Sequence, residues 1–139
     1  MSHKSKKISE LIQSFHGSDL DPHYLGYFDC FNRELFYEAH DVLEELWLAQ
    51  RGKSNDGFFK GLIQFAGAFV HLQKNRLRPA VALFRLSQKY LSAYPTLHER
   101  LDVSRILRLG SEWIQLLEAT NCSQNPLADH RPPQLGLVN

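Results

Sequence analysis

The segment FFKGLIQFAGAFVHL, residues 58–72, constrains this chain more than any other. Projected as a helix at about 100° per residue, it is apolar over most of its circumference: Phe58, Phe59, Leu62, Ile63, Phe65, Phe69, Val70 and Leu72. One narrow stripe is polar, made of Lys60, Gln64, His71 and then Asn75, with Gly61, Gly67 and Ala68 around it. A helix of this kind must be covered on most sides, so the chain needs other helices to surround it. The segment is also too short and too polar to cross a bilayer, which takes about 20 apolar residues. The stripe itself demands partners, because an unpaired buried polar group costs about 1–3 kcal/mol. The small residues beside it leave room for another backbone, a water or a small ligand.

The other segments supply the cover. KKISELIQSF sets Ile8, Leu11, Ile12 and Phe15 at helical spacing, a short amphipathic first helix. Asp21 followed by Pro22 is a helix start signal, and the second helix is expected over residues 22–50, stopping at Gly52. Ser54, Asn55 or Asp56 can cap the third, which is expected to reach residue 75. Pro79 opens a fourth that ends near Tyr94, ahead of Pro95. Thr96 with Glu99 has the pattern of a capping box for a brief turn. Asp102 can cap a last long helix whose apolar positions include Ile106, Leu109, Trp113, Leu116 and Leu117. No strand alternation and no internal repeat stand out. The expected fold is an all-α, single-domain bundle of about five helices, with short connections that make neighbours antiparallel. At 139 residues, 43% of them hydrophobic, the chain can bury a sizeable core. Residues 1–122 are read as the bundle and 123–139, with Pro126, Pro132 and Pro133, as an extended tail, either mobile or draped over it.

The second helix carries FYEAHDVLEELW. Phe36, Ala39, Val42, Leu43, Leu46 and Trp47 project onto one broad apolar arc. His40 lies at its border and Glu44 one turn further on, a spacing at which the carboxylate can reach a ring nitrogen and raise its basicity. Glu34, Glu38, Asp41 and Glu45 project to nearly the opposite side, an outer acidic stripe that reads first as a solvated face. The economical arrangement turns the polar stripe of the third helix toward the border bearing His40 and Glu44.

FNRELFYEAHDVLEELW followed by FFKGLIQFAGAFVHLQKN resembles the DUF309 family of small all-helical bacterial, archaeal and plastid proteins, over residues 27–94. The resemblance implies a helical bundle and a residue set: Phe31, Asn32, Phe36, Glu38, His40, Glu44 and Trp47 in the first segment. In the second it implies Lys60, Gly61, Gln64, Ala66, His71 and Asn75. Where the family usually has Gly-Ala after the asparagine, this chain reads Arg78-Pro79-Ala80, a stiffer entry to the next helix. The resemblance implies no reaction.

Sixteen basic against fifteen acidic residues leave no global field toward nucleic acid or membrane, and the basic group Lys4, Lys6, Lys7 has no stacking aromatics beside it, so nucleic acid is not expected. Cys30 and Cys122 are far apart, neither in a CxxC, and no apolar leader is read before the first helix; the expected compartment is the cytoplasm. His40, Glu44 and His71 are the candidate catalytic residues. Glu38, Lys60, Gln64, Asn75 and Trp47 are the candidate binding residues. His40, His71 and Glu44 are also of the types that hold zinc or iron. Their order departs from the paired Glu-x-x-His of di-metal bundles, and metal and cofactor stay unassigned. Two readings follow. In the first, which the sequence slightly favours, the polar cluster fixes helix register in a non-enzymatic scaffold or interaction module. In the second it binds a small molecule or acts hydrolase-like, with His40 and Glu44 as the acid–base pair. The nearly all-apolar third helix also leaves room for a homodimer, or for the tail to cover the same surface.

Overall fold

A computed structural model describes residues 3–139. Six α-helices occur among them: α1 (His3–Ile12), α2 (Pro22–Asn32), α3 (Phe36–Gln50), α4 (Asp56–Gln73), α5 (Leu77–Leu91) and α6 (Val103–Glu118). A two-stranded hairpin, β1 (Leu97–His98) and β2 (Leu101–Asp102), precedes α6. The helical segment 58–72 lies within α4 and is the central rod, flanked by α3 and α5, with α2 against α3 and α6 against α5. α1 lies on α2 and α3.

The helix expected over residues 22–50 is two helices. Asp21 accepts from the His23 amide and Pro22 holds the first position, as the start signal requires. At residue 34 the chain turns out of the helix. Glu34 adopts φ 60°, its amide donates to the Phe31 carbonyl, and the Leu35 amide donates to Cys30. That pair of bonds is a Schellman ending built on a left-handed glutamate where glycine is usual, so no sequence signal marked it. The same ending closes α4, with Asn75 at φ 56° and the Arg76 amide on the His71 carbonyl. α5 begins at Leu77, which puts Pro79 at the third helical position, where its missing N–H would have had no intrahelical partner.

The brief turn expected at residues 96–99 is a hairpin. Glu99 and Arg100, the two residues between its strands, both have positive φ, the requirement of a type I′ turn. The hairpin seats against the start of α4: His98 bonds Asn55 at 2.7 Å, and Tyr24 donates to the Glu99 carbonyl. Asp102 caps α6 by accepting from the Arg105 amide.

The core is an aromatic column along α4. Phe65 stacks on Phe31, and Phe69 stacks on Phe36 at 5.1 Å while meeting Phe31, Phe65, Phe84 and Trp113 edge-on. Gly61 sets the α4–α5 approach: a Cβ there would come within 2.7 Å of Leu91 Cγ and 3.3 Å of the Ser87 carbonyl. Residues 123–139 lie against the bundle. Asn32 clamps their backbone, donating to the Leu135 carbonyl and accepting from the Leu135 amide, each at 2.7 Å. Leu135 is buried, and Leu137 forms a bridge to Leu101.

Candidate functional site

α3 and α4 run antiparallel. Trp47, near the end of α3, meets Asp56 and Lys60 at the start of α4, while Tyr37, at the start of α3, lies under the Lys74 ammonium just past the end of α4. Between them, with α5 alongside, opens a cleft of about 300 Å³. Its apolar walls are Tyr37, Trp47, Ile63, Val70 and Leu83, with Gly67 leaving a gap where any side chain would crowd Leu83. Its polar groups are His40 and Glu44 from α3 and Lys60, Gln64 and His71 from α4. Positions 37, 40, 44 and 47 repeat at helical spacing, so α3 presents one continuous seam.

Six of the eight candidate residues therefore line one cleft: His40, Glu44, Trp47, Lys60, Gln64 and His71. Glu38 and Asn75 do not. Glu38 sits in the first turn of α3, which has no side-chain cap, where a carboxylate offsets the exposed amide ends. Asn75 terminates α4 in the left-handed conformation, and its Oδ1 accepts from Asn125 of the tail at 3.3 Å. The other residues of the resemblance are structural: Phe31, Phe36 and Ala66 are core, Gly61 is a helix contact, and Asn32 is the tail clamp. Tyr37 and Leu83 were missed. Tyr37 could have been found from the 37-40-44-47 spacing; Leu83 comes from α5 and had no local signal.

The acidic groups are arranged differently from the projection. Asp41 is not on a solvated outer stripe: its side chain is 13% exposed and sits 3.2 Å from His40 Nδ1. Glu44 stands 3.7 Å from His40 Nε2, longer than a hydrogen bond. The reason is α1, which the projection of one helix could not include. Lys4 reaches across to bind Glu44 at 3.1 Å and Asp41 at 3.3 Å. Burial works against the Lys4 charge, but its bonds and attraction to Glu44 and Asp41 outweigh that and hold its ammonium above the usual lysine range. Glu45 is likewise taken, by His23 at 3.0 Å.

At the other wall, Trp47 donates its indole N–H to Asp56 at 2.6 Å and carries the Lys60 ammonium 4.2 Å above its ring. Asp56 also accepts from the Gly52 amide, and these two bonds hold its carboxyl below the usual range. So the Trp47 ring is locked in place by a charge-assisted bond, and the lysine lies across it.

Two cleft groups have no partner. Among the described residues, Gln64 Oε1 and His71 Nδ1 are buried atoms without a hydrogen bond. Burial, then the positive charges of Arg76 and Lys74, push the His71 pKa down, overcoming the preference of a helix's last turn for a cation. His71 is thus a neutral imidazole at neutral pH. Its folded pKa lies below its unfolded value near 6.5, so in that window the unfolded chain binds more protons. The His71 contribution is full above pH 6.5 and is lost as pH falls toward the folded value. Urea midpoints measured from pH 7.5 to about 5.5 should fall less steeply in His71→Gln than in the unaltered protein; parallel profiles would contradict this environment.

Other chemistry is sparse. Among the described residues, no three His, Cys, Asp or Glu gather as a metal-ligand group, so His40, Glu44 and His71 share the cleft without converging on a point. Cys30 is buried, and burial first, then Asp29, pushes its thiol up to about 11, far from thiolate reactivity. Among the described residues, no helix is long and apolar enough to cross a membrane.

Residues 24–83 match the family model described as Domain of unknown function (DUF309), which bears out the resemblance read from the two helical segments. The matched span holds both walls of the cleft, from Tyr37 to Leu83, and leaves out Lys4. No curated protein and no solved structure matches the chain.

Proposed function

We propose that the DUF309 domain of this chain is a small-molecule-binding module and that the cleft between α3 and α4 is its site. The single observation that carries this reading is the pair of unpartnered polar atoms, Gln64 Oε1 and His71 Nδ1, on the wall of a mostly apolar hollow. A polar cluster kept to fix helix register would spend its groups on one another across the helix pair. Here the helix-to-helix bonds are made elsewhere, by Trp47 with Asp56 and by Tyr27 with the Leu62 carbonyl. Gln64 and His71 instead bear a cost of about 1–3 kcal/mol per unmade bond, which a ligand would remove. A few polar groups on apolar walls is the usual make-up of ligand pockets, whose volumes begin at about 300 Å³. His40, set between Asp41 and Glu44, is the group placed for proton transfer to a bound molecule.

Gln64→Leu separates this reading from the scaffold. Its thermal and urea stability should be unchanged or higher, since an orphaned acceptor is replaced by apolar volume. A screen of small soluble fragments, followed by the Trp47 indole N–H and Gly67 amide resonances, should yield binders that weaken in Gln64→Leu and vanish in Gly67→Leu, which fills the gap. A clear stability loss in Gln64→Leu, or a fragment library that leaves both resonances unmoved, would refute the binding role.

A further inference from the structure

We infer that the cleft selects an apolar-bodied small carboxylate carrying one hydroxyl or N–H donor; this rests on the binding role proposed above and names its ligand class. The first argument is charge. Among the described residues, Glu44 is the one carboxylate lining the cleft, and it shares the Lys4 ammonium with Asp41, at 3.1 and 3.3 Å. Lys60 has no carboxylate within ion-pair distance among the described residues, and its ammonium rests on the Trp47 ring. Nearby Asp56 is spent on the Trp47 indole and the Gly52 amide. Arg51 lies 5.7 Å over the same ring, and Lys74 lies 5.9 Å over Tyr37 at the opposite end. Around the cleft Lys4, Arg51, Lys60 and Lys74 stand against Asp41, Glu44 and Asp56, so cations outnumber acids by one and a negative ligand group is favoured beside Lys60.

The second argument is shape and bonding. Ile63, Val70 and Leu83, with the rings of Tyr37 and Trp47, give the body of the ligand a mostly apolar lining. Lys60 and Gln64 are one turn apart on α4 and both line the cleft, so one ligand can meet both. Gln64 Oε1 has no donor, which asks the ligand for a hydroxyl or N–H. A phosphoester would want more donors than one lysine and one amide provide.

Three probes of one shape test this on the full chain: 6-hydroxy-2-naphthoate, 2-naphthol and 2-naphthylmethylammonium. The naphthoate should shift the Trp47 indole and Gly67 amide resonances saturably, and 2-naphthol should bind about ten times more weakly, the effect of one charge-assisted hydrogen bond. The ammonium probe should be weakest. Lys60→Met should bring the naphthoate down to the naphthol's affinity and leave naphthol unchanged; added salt should weaken only the naphthoate. Equal binding of all three probes would overturn the carboxylate preference while leaving the cleft a binding site. No response to any of them would overturn it as well, and the fragment screen with Gly67→Leu then decides the binding role separately.

Discussion

Phe69→Ala is expected to lower the free energy of unfolding by about 3–5 kcal/mol, the range for deleting a buried phenyl ring. Phe69 is fully buried and is the hub of the aromatic column. It touches Phe36 from α3, Phe31 from α2, Phe84 from α5 and Trp113 from α6, as well as Phe65 on its own helix. Truncation leaves a hollow bounded by five rings anchored on five helices, and none can move into it without leaving another contact. The upper part of the range therefore applies, because the cost grows with the cavity that fails to collapse. Domains of this size are stable by about 5–15 kcal/mol, so the variant stands near the edge of folding. Phe69→Leu keeps most of the volume and should lose markedly less. Urea unfolding followed by far-UV circular dichroism measures both. A loss below about 1 kcal/mol in the alanine variant would mean that the column is not packed around this residue.

Asn32→Ala is expected to cost about 2–3 kcal/mol and to release the last residues of the chain. Two short bonds, to the amide and carbonyl of Leu135, are lost together, and their partly buried backbone partners are left unpaired. Leu135 is held at 3% exposure, and the clamp fixes its backbone there. Limited proteolysis should then cleave the variant within residues 123–139 while the unaltered protein resists, with the unfolding midpoint shifted down in parallel. Equal protease resistance would show that Leu135 and the Leu101–Leu137 bridge hold the tail by themselves. Asn32 was expected to matter from the family resemblance alone; the structure gives it a backbone-clamping job about a hundred residues away in sequence.

Three kinds of feature were legible before any coordinates. Helical periodicity located the rods, because burial of one face repeats every turn. Asp21–Pro22 and Asp102 marked starts, because a short oxygen-bearing side chain there bonds a free amide. The polar stripe of α4 was visible because its residues interrupt an otherwise apolar surface. The helix end at Glu34 was not legible: a glutamate enters the left-handed region only when its neighbours reward it. The hairpin at residues 97–102 was also missed, since two-residue strands are too short to alternate.

The same division runs through the site. Local sequence determined which side chains α3 and α4 place on their facing seams, since the spacing of 40, 44 and 47 and of 60, 64 and 71 follows from helix geometry alone. It could not decide which of those polar groups would be satisfied. That outcome depends on Lys4 arriving from α1 to occupy Asp41 and Glu44, on Asp56 taking the Trp47 indole, and on Leu83 of α5 closing the apolar wall. Hydrogen bonds and ion pairs are decided by distances of a few tenths of an ångström between segments far apart in the chain. Only the packed tertiary structure sets those distances, and so only it left Gln64 Oε1 and His71 Nδ1 without a hydrogen bond among the described residues.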